Sequence, residues 1–525
     1  MRISRVPIFR SSFQTYIQAF AAQLRARAGW NRFFAAFAFG AVASLAFAPT
    51  SIFPLLWVSF PALIFLLQGT VNWKQAFATG WAFAFGCFVF GFYWIAASMF
   101  VDIGHFWWAV PLAVAGLPAF LAIYYGIAAL LARRFGLTDI AGLLMVALLW
   151  FAADYARGHL FTGFPWNLEG YGWTNVLSLL QIASITGIYG LTLLTLVCVF
   201  LAAGLAEANR RAWQAVGFSL LALIVIAAWG QVRLANAINE PSAVRLRIVQ
   251  PNVNQAEKWL PAEREGHFQQ LLDLSSMPAK QPLTYIIWPE TAATFYLTED
   301  AAHRYAVAAH VPKGGAILTG VIQRALEPDN QIHYYNSLIA VDEKARAVAG
   351  YNKFHLVPFG EFVPLRHYLP LQPLVNLGLD FSAGDGPHTL HIRKLPSFSP
   401  FICYEAILPG EIVDRADRPD FLLNVTNDGW YGKTAGPYQH FASAKVRAIE
   451  EGLPLVRAAN TGISGVVDAY GRIKARMGVD IMGYMDADLP PPLPPTFFGR
   501  HGEKPLWILF IALAACAIAA RARRP

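Results

Sequence analysis

Phe33 to Trp73 reads FFAAFAFGAVASLAFAPTSIFPLLWVSFPALIFLLQGTVNW, a stretch without a single Asp, Glu, Lys or Arg. A hydrocarbon core roughly 30 Å thick is crossed by about 20 apolar residues at about 1.5 Å each, so the stretch has room for two crossings that turn near Pro49 and Pro54. Similar uncharged gaps follow. Ala76 to Val101, Phe106 to Ala132, Val176 to Ala206 and Ala212 to Trp229 hold one crossing each, and Leu506 to Ala520 adds another. Ile140 to Ala153 is about three-quarters of the usual length, which also suits a buried core helix, and is counted as a crossing because the topology requires it. The whole chain agrees: its 525 residues are 56% hydrophobic and 14% charged, with a mean hydropathy of +0.41, outside the range of soluble globular proteins.

Eight crossings put both ends on one side, and the basic residues then sort unequally. Arg2, Arg5, Arg10, Arg25, Arg27, Arg32, Lys74, Arg133, Arg134, Arg210, Arg211, Arg521, Arg523 and Arg524 fall with the termini, while Arg157 alone falls in a short loop opposite. The positive-inside rule therefore predicts cytoplasmic termini. The division expected is a basic cytoplasmic segment at 1–32, read as retained and not as a cleaved signal, a membrane domain with seven helices at 33–235, an extracytoplasmic catalytic domain at 236–500, and a last helix with a basic tail at 501–525.

From Arg233 to Lys504 there are 26 Lys and Arg against 28 Asp and Glu, a net charge near −2. The overall +8 thus resides in the cytoplasmic loops, where basic residues orient helices and meet anionic lipid, and nucleic-acid binding has little support. Within the outer domain, strand-like runs at Leu246–Val249, Tyr285–Trp288, Ala316–Val321 and Leu422–Val425 alternate with helical stretches at Glu263–Leu274 and Ala442–Glu450. That alternation predicts an α/β fold. Pro490 to Pro495 reads as a stiff linker into the last helix.

Cys87, Cys198 and Cys516 sit in hydrophobic helices, which leaves Cys403 as the one cysteine of the outer domain. A thiol without a disulfide partner in an oxidising compartment is either a buried small hydrophobe or a used nucleophile. Phe401-Ile402-Cys403 ends an apolar run and Tyr404-Glu405-Ala406-Ile407 looks like a turn into a helix, whose amide groups would favour thiolate. A thiol attacking an ester or amide also needs a proton acceptor and a cation near the developing oxyanion. Glu290 in Trp288-Pro289-Glu290-Thr291 follows a strand-like run and is the candidate base. Lys353 and Glu361 bracket the loop Asn352 to Glu361, which makes Lys353 the candidate oxyanion cation and Glu361 a second carboxylate.

Taken together, WPET, YNKFHLVPFGEFVP and ICYEAILPGE resemble the Glu-Lys-Cys pattern of the nitrilase superfamily in its apolipoprotein N-acyltransferase branch. NVTNDGWYG from Asn424 to Gly432, Gly436-Pro437-Tyr438-Gln439-His440 and GLPLVRAANTGISGVVD from Gly452 to Asp468 extend the resemblance, which covers the whole chain. It implies an αββα sandwich beside the helical membrane domain, with Glu290 as general base, Lys353 stabilising the tetrahedral intermediate and Cys403 carrying an acyl group as a thioester. Glu361, Tyr404 and Glu405 would support that set, and Trp259, Asn336, Trp430 and Arg457 match positions expected to meet substrate. The implied reaction is ping-pong. A phospholipid such as phosphatidylethanolamine donates its sn-1 chain, and the N-terminal amine of a diacylglyceryl-cysteine apolipoprotein accepts it, at the inner membrane of a two-membraned bacterium with the catalytic domain in the periplasm.

Acyl transfer from ester through thioester to amide needs no cofactor, and no metal site is expected: His355, His367, His388 and His440 are dispersed, and no HExxH or CxxC spacing occurs in the domain. The apolar segment Phe362 to Phe381 reads either as a lid dipping into the headgroups or as packing on the sandwich. Tyr155 to Trp173, with Trp166, Tyr171 and Trp173, reads as an aromatic belt at the interface. Two other functions remain open. A membrane-tethered nitrilase-type amidase or hydrolase would use the same residues with water as acceptor. A silent binding or transport protein ranks last, because such a protein calls for intramembrane charges and the helices carry almost none.

Overall fold

The structure is a computed structural model that describes residues 7–237, 243–328, 330–368 and 380–522. The chain divides into two compact units, one made of residues 1–93, 108–235 and 501–525 and the other of residues 94–107 and 236–500.

The first unit is helical: α1 (Pro7–Arg25), α2 (Gly29–Ser44), α3 (Leu56–Gln68), α4 (Trp73–Phe92), α5 (Leu117–Ala132), α6 (Ile140–His159), α7 (Ala183–Ala202) and α8 (Arg210–Ala235), with Lys504–Ala522 at the C-terminal end. Among the described residues, six helical stretches are long and apolar enough to cross a membrane: Trp73–Ala109, Leu112–Phe135, Ile140–His159, Ala183–Glu207, Arg210–Ala235 and Lys504–Ala522. Phe33 to Trp73 does form two helices, but α2 has 16 residues and α3 only 13, because the turn between them takes up the intervening residues. The Ile140 helix is longer than its apolar run suggests, with 20 residues. Helices α2 and α4 touch closely: a Cβ on Gly40 would lie 1.8 Å from the Phe83 carbonyl oxygen, and one on Gly86 2.1 Å from that of Phe37. Small residues let two helix backbones approach where lipid supplies no hydrophobic drive.

Two expectations are corrected here. Arg157 does not lie in a loop but in the last turn of α6, 2% exposed, beside Asp154 at 1%. Its guanidinium donates to the Tyr125 hydroxyl (2.8 Å), to Asp154 Oδ1 (3.1 Å) and to the carbonyls of Phe164 (2.6 Å) and Trp166 (2.8 Å). A buried ion pair that lost one partner would cost about 3–5 kcal/mol, so this set of acceptors is what allows charge inside the bundle. Asp154, Arg157, Glu169 and Tyr125 line a cavity of ≈ 20 Å³. The helical unit therefore does contain buried charge. Nor do the three aromatics named for an outer belt lie at the surface: Trp166 is 0% exposed, Tyr171 3% and Trp173 4%, whereas Phe161 of the same stretch is 83% exposed.

The second unit is a sandwich of two sheets. One has the order β11-β1-β2-β3-β4-β5 and the other β10-β9-β8-β7-β6, from strands β1 (Arg245–Gln250), β2 (Tyr285–Ile287), β3 (Ala316–Leu326), β4 (Ile332–Val341), β5 (Ala347–Asn352), β6 (Phe398–Ile402), β7 (Phe421–Thr426), β8 (Leu455–Ala459), β9 (Ser464–Val467), β10 (Ile473–Met477) and β11 (Gly483–Asp488). The runs β1-β2-β3 and β6-β7-β8 are parallel and the remaining pairs antiparallel. Alternation decides which residues face the other sheet. Leu246, Ile248, Tyr285 and Ile287 meet Phe398, Ile402, Phe421 and Leu423 between the sheets. On the outer faces, α9 (Arg264–Ser276) and α10 (Ala301–Ala308) cover the first sheet through Phe268, Leu271 and Val307. Helix α11 (Gly436–Glu451) covers the second through Phe441, Ala444 and Ala448. The layer order is αββα, as the family resemblance implied. Leu369, Leu371, Leu374, Val375 and Leu377 of the expected lid lie outside the described residues.

Candidate active site

Parallel strands of an α/β sheet present functional groups at their C-terminal ends, and three strand ends build this site. Strand β2 stops at Trp288-Pro289, where the Trp288 amide still donates to Leu318 (2.8 Å) and the Gly320 amide donates to the Pro289 carbonyl (3.2 Å). The chain then turns at Thr291, whose φ of 45° is left-handed. Gly320 makes room for the turn, since a Cβ there would lie 2.4 Å from the Thr291 nitrogen and 2.6 Å from Glu290 Cα. Lys353 follows β5, its amide bonded to the Asn336 carbonyl at 2.8 Å. Cys403 follows β6 with φ of 51°, and Phe359, in the loop between Lys353 and Glu361, has φ of 61°. Left-handed backbone at a residue other than glycine is costly and collects at functional sites, where the surroundings enforce it.

Glu290 is 6% exposed, Lys353 1% and Glu361 5%. Lys353 Nζ lies 2.8 Å from Glu361 Oε2 and 4.0 Å from Glu290 Oε1. Asn336 ties the two carboxylates together, its Nδ2 donating to Glu290 Oε1 (2.7 Å) and Glu361 Oε1 (2.8 Å). The Asn427 amide donates to Glu290 Oε2 at 2.7 Å. Burial alone would lower the Lys353 ammonium; Glu361 and Glu290 outweigh it and hold the group above its ordinary value. Lys353 is therefore a permanent cation.

The thiol behaves differently from the sequence expectation. Burial first, and then the Glu290 charge, push the Cys403 thiol up to about 12 against the opposing pull of Lys353. The turn after it, Cys403–Ile407, is a short 3-10 segment and not the start of an α-helix, so few aligned amides favour thiolate. A thiol protonated at rest requires a base at the moment of attack, and both Glu290 and Lys353 act electrostatically on this sulfur.

Glu405 is fully buried and staples the nucleophile turn to the lysine loop. Its carboxylate accepts from the amides of Ile402 (2.6 Å), Phe354 (2.9 Å) and His355 (3.1 Å) and from the Tyr351 hydroxyl (2.9 Å). Burial raises it to about 7 in spite of those bonds. Tyr404 stacks its ring on His355 with centroids 5.8 Å apart. Asn336 and Arg457 have no open surface: Arg457 is 0% exposed and bonds Asp428 at 2.8 Å and the Ile463 carbonyl at 3.1 Å. Trp259 and Trp430 are half-buried.

Sequence reading missed several partners. His440, expected to be one of several scattered histidines, is fully buried with Nε2 donating to the Cys403 carbonyl (2.8 Å) and Nδ1 lying 2.8 Å from Asp428 Oδ1. Its only signal was its place in the Gly436 to His440 motif. The Tyr431 hydroxyl lies 3.8 Å from Cys403 Sγ, and Trp94 packs edge-on against the Tyr431 ring at 4.6 Å. Trp94 comes from the far end of a hydrophobic run, where nothing local marks it.

A buried cation held by two carboxylates beside a nucleophile can stabilise an oxyanion but cannot supply a proton at neutral pH. Lys353→Met is accordingly expected to lower kcat roughly 10²-fold with little change in KM. Steady-state kinetics on the folded variant checks this, and a pure KM effect would contradict it.

Residues 19–201 match the family model of the apolipoprotein N-acyltransferase N-terminal domain, and residues 245–493 match that of carbon-nitrogen hydrolase. The chain is 39% identical over 517 residues to an apolipoprotein N-acyltransferase of Rhodopseudomonas palustris, covering 95% of this chain and 96% of that protein. It is 39% identical over 511 residues to one of Brucella melitensis, covering 94% and 95%. Among solved structures it resembles an amidase from Nesterenkonia sp. at 19% identity and a TM-score of 0.35, over 49% of this chain and 94% of that one.

Proposed function

The chain belongs to the apolipoprotein N-acyltransferase family, and we propose that its acyl transfer runs through a thioester on Cys403 with Glu290 as base and Lys353 as oxyanion cation. Membership makes it an acyltransferase with a carbon-nitrogen hydrolase domain, working on lipid and lipoprotein substrates in a membrane setting. The observation that carries the residue assignment is the Glu290–Lys353–Glu361 charge cluster held at strand ends beside a left-handed cysteine.

In the first half-reaction Glu290 takes the thiol proton as Sγ attacks the donor's ester carbonyl. The oxyanion that forms faces the Lys353 ammonium. Collapse breaks the ester C–O bond, the leaving alkoxide takes the proton from Glu290, and a lysophospholipid departs. In the second, the amine nitrogen attacks the thioester carbonyl, Glu290 accepts one of its protons, and collapse breaks the C–S bond. The proton returns to the thiolate and an amide is released. Ester to amide is downhill, so no energy source is needed.

The donor we propose is a phospholipid such as phosphatidylethanolamine, giving up its sn-1 chain, and the acceptor the amine of a diacylglyceryl-cysteine apolipoprotein. Trp259 and Trp430, half-buried, are the proposed substrate contacts, with Asn336 and Arg457 holding the machinery in place. The proposed topology has eight crossings, with 1–32 and the C-terminus cytoplasmic and the 236–500 domain periplasmic at the inner membrane. The one-sided placement of basic residues supports it.

Product analysis distinguishes transfer from hydrolysis. Phosphatidylethanolamine and a diacylglyceryl-cysteine peptide incubated with the purified protein are expected to give N-acylated peptide and lysophospholipid. Free fatty acid as the sole acyl product would favour a membrane-tethered hydrolase.

A further inference from the structure

Lys258 stands in the loop after β1 and is 3% exposed. Its ammonium donates to the Glu290 carbonyl at 3.1 Å and to Thr291 Oγ1 at 2.6 Å, the two residues that form the left-handed turn carrying the base. An ammonium taken out of water needs opposing charge, and Glu290 and Cys403 are the titratable groups that act on it. The charge balance of the site explains why it is there. Glu361 lies on Lys353 at 2.8 Å, whereas Glu290 lies 4.0 Å from that lysine. With Lys353 alone, two carboxylates would face one cation, and the oxyanion would add a further negative charge.

We infer that Lys258 is a second cation of the active site: a positioning residue that fixes the Thr291 turn, and with it the Glu290 carboxylate, and whose charge favours the anionic nucleophile. This rests on the roles given above to Glu290, Lys353 and Cys403. Neutral Lys258 keeps N–H donors, so losing its proton removes charge without dismantling the turn. Burial pushes the Lys258 ammonium down to about 8, against the pull of Glu290 and then Cys403. The charge is present below that pH and lost above it. Lys353 stays protonated across the same range, the thiol at about 12 stays protonated, and Glu405 at about 7 titrates lower.

The test is single-turnover acylation of Cys403 in the full-length enzyme, in detergent micelles containing phosphatidylglycerol, whose headgroup does not titrate between about pH 6 and about pH 10. No acceptor peptide is added, so no acceptor amine titrates. The wild-type rate is expected to fall as pH rises through about 8. K258R, which keeps its charge, is expected to lose that fall. K258Q, which keeps a donor without charge, is expected to be roughly 10- to 100-fold slower at about pH 7 and flat above it. Both variants are checked for a melting temperature near wild type, and either one suffices. An unchanged alkaline fall in the variants would overturn the inference and assign the fall to another buried base, such as Lys445, lowered to about 8 by burial. So would K258Q acylation at the wild-type rate. Absence of any acyl adduct in wild type would instead contradict the underlying assignment of Cys403.

Discussion

Cys403→Ala is expected to leave less than about 10⁻⁴ of wild-type acyl transfer while the protein stays folded. The size of the effect follows from the route. Without sulfur no covalent intermediate forms, and the amine would have to attack the lipid ester directly at a site shaped to hold one acyl partner at a time. Stability should change little, since the thiol's contact with the Tyr431 hydroxyl is a long one at 3.8 Å and alanine is smaller than cysteine. The left-handed φ of 51° is about as unfavourable for alanine as for cysteine. Acyl transfer measured with a diacylglyceryl-cysteine peptide, alongside a thermal melt, checks both parts. Residual activity within about tenfold of wild type would mean that Cys403 is not the acyl carrier.

Glu290→Gln is expected to lower acylation by roughly 10³-fold. Glutamine keeps the shape but removes the base. It also sets an NH₂ group against Asn336 Nδ2 or the Asn427 amide, both of which donate to this carboxylate at 2.7 Å. The more specific signature is in pH. Burial, the largest cause of the raised thiol, remains when the Glu290 charge is gone, so with no base left the variant can use only pre-ionised thiolate, whose fraction grows about tenfold per pH unit below the thiol's own value. The residual rate should therefore climb steeply between about pH 6 and about pH 8, where the wild type does not. A variant with a flat profile in that window would show that Glu290 does not remove the thiol proton.

The residues proposed as catalytic were picked out by local signals, Glu290 and Cys403 because each follows a strand-like run and Lys353 because it brackets an uncharged loop with Glu361, and the structure sets them beyond β2, β6 and β5. A short apolar run followed by a charged or nucleophilic residue is a local signal. Lys258 and His440 were not legible as parts of the site, because they act through backbone carbonyls, those of Glu290 and Cys403, and any side chain of suitable reach satisfies a carbonyl. The expected helix after Cys403 is a short 3-10 segment instead, so the amides thought to favour thiolate are few. A helix start is visible in a sequence, whereas burial beside Glu290 is not. In the helical unit, uncharged gaps found the apolar helices but placed Arg157 in a loop, since charge was taken to mean water. The guanidinium is instead surrounded by Tyr125, Asp154 and two main-chain carbonyls. The same habit of ending a helix at its first charge shortened the helix that runs to His159.

Whether Cys403 becomes lipid-charged is read from peptide mass spectrometry of the detergent-purified enzyme after incubation with phosphatidylethanolamine. A hydroxylamine-sensitive acyl adduct on the Cys403 peptide, discharged as an amide when a diacylglyceryl-cysteine peptide is added, is the predicted result. A folded wild-type enzyme that forms amide product while never acquiring that adduct would contradict it.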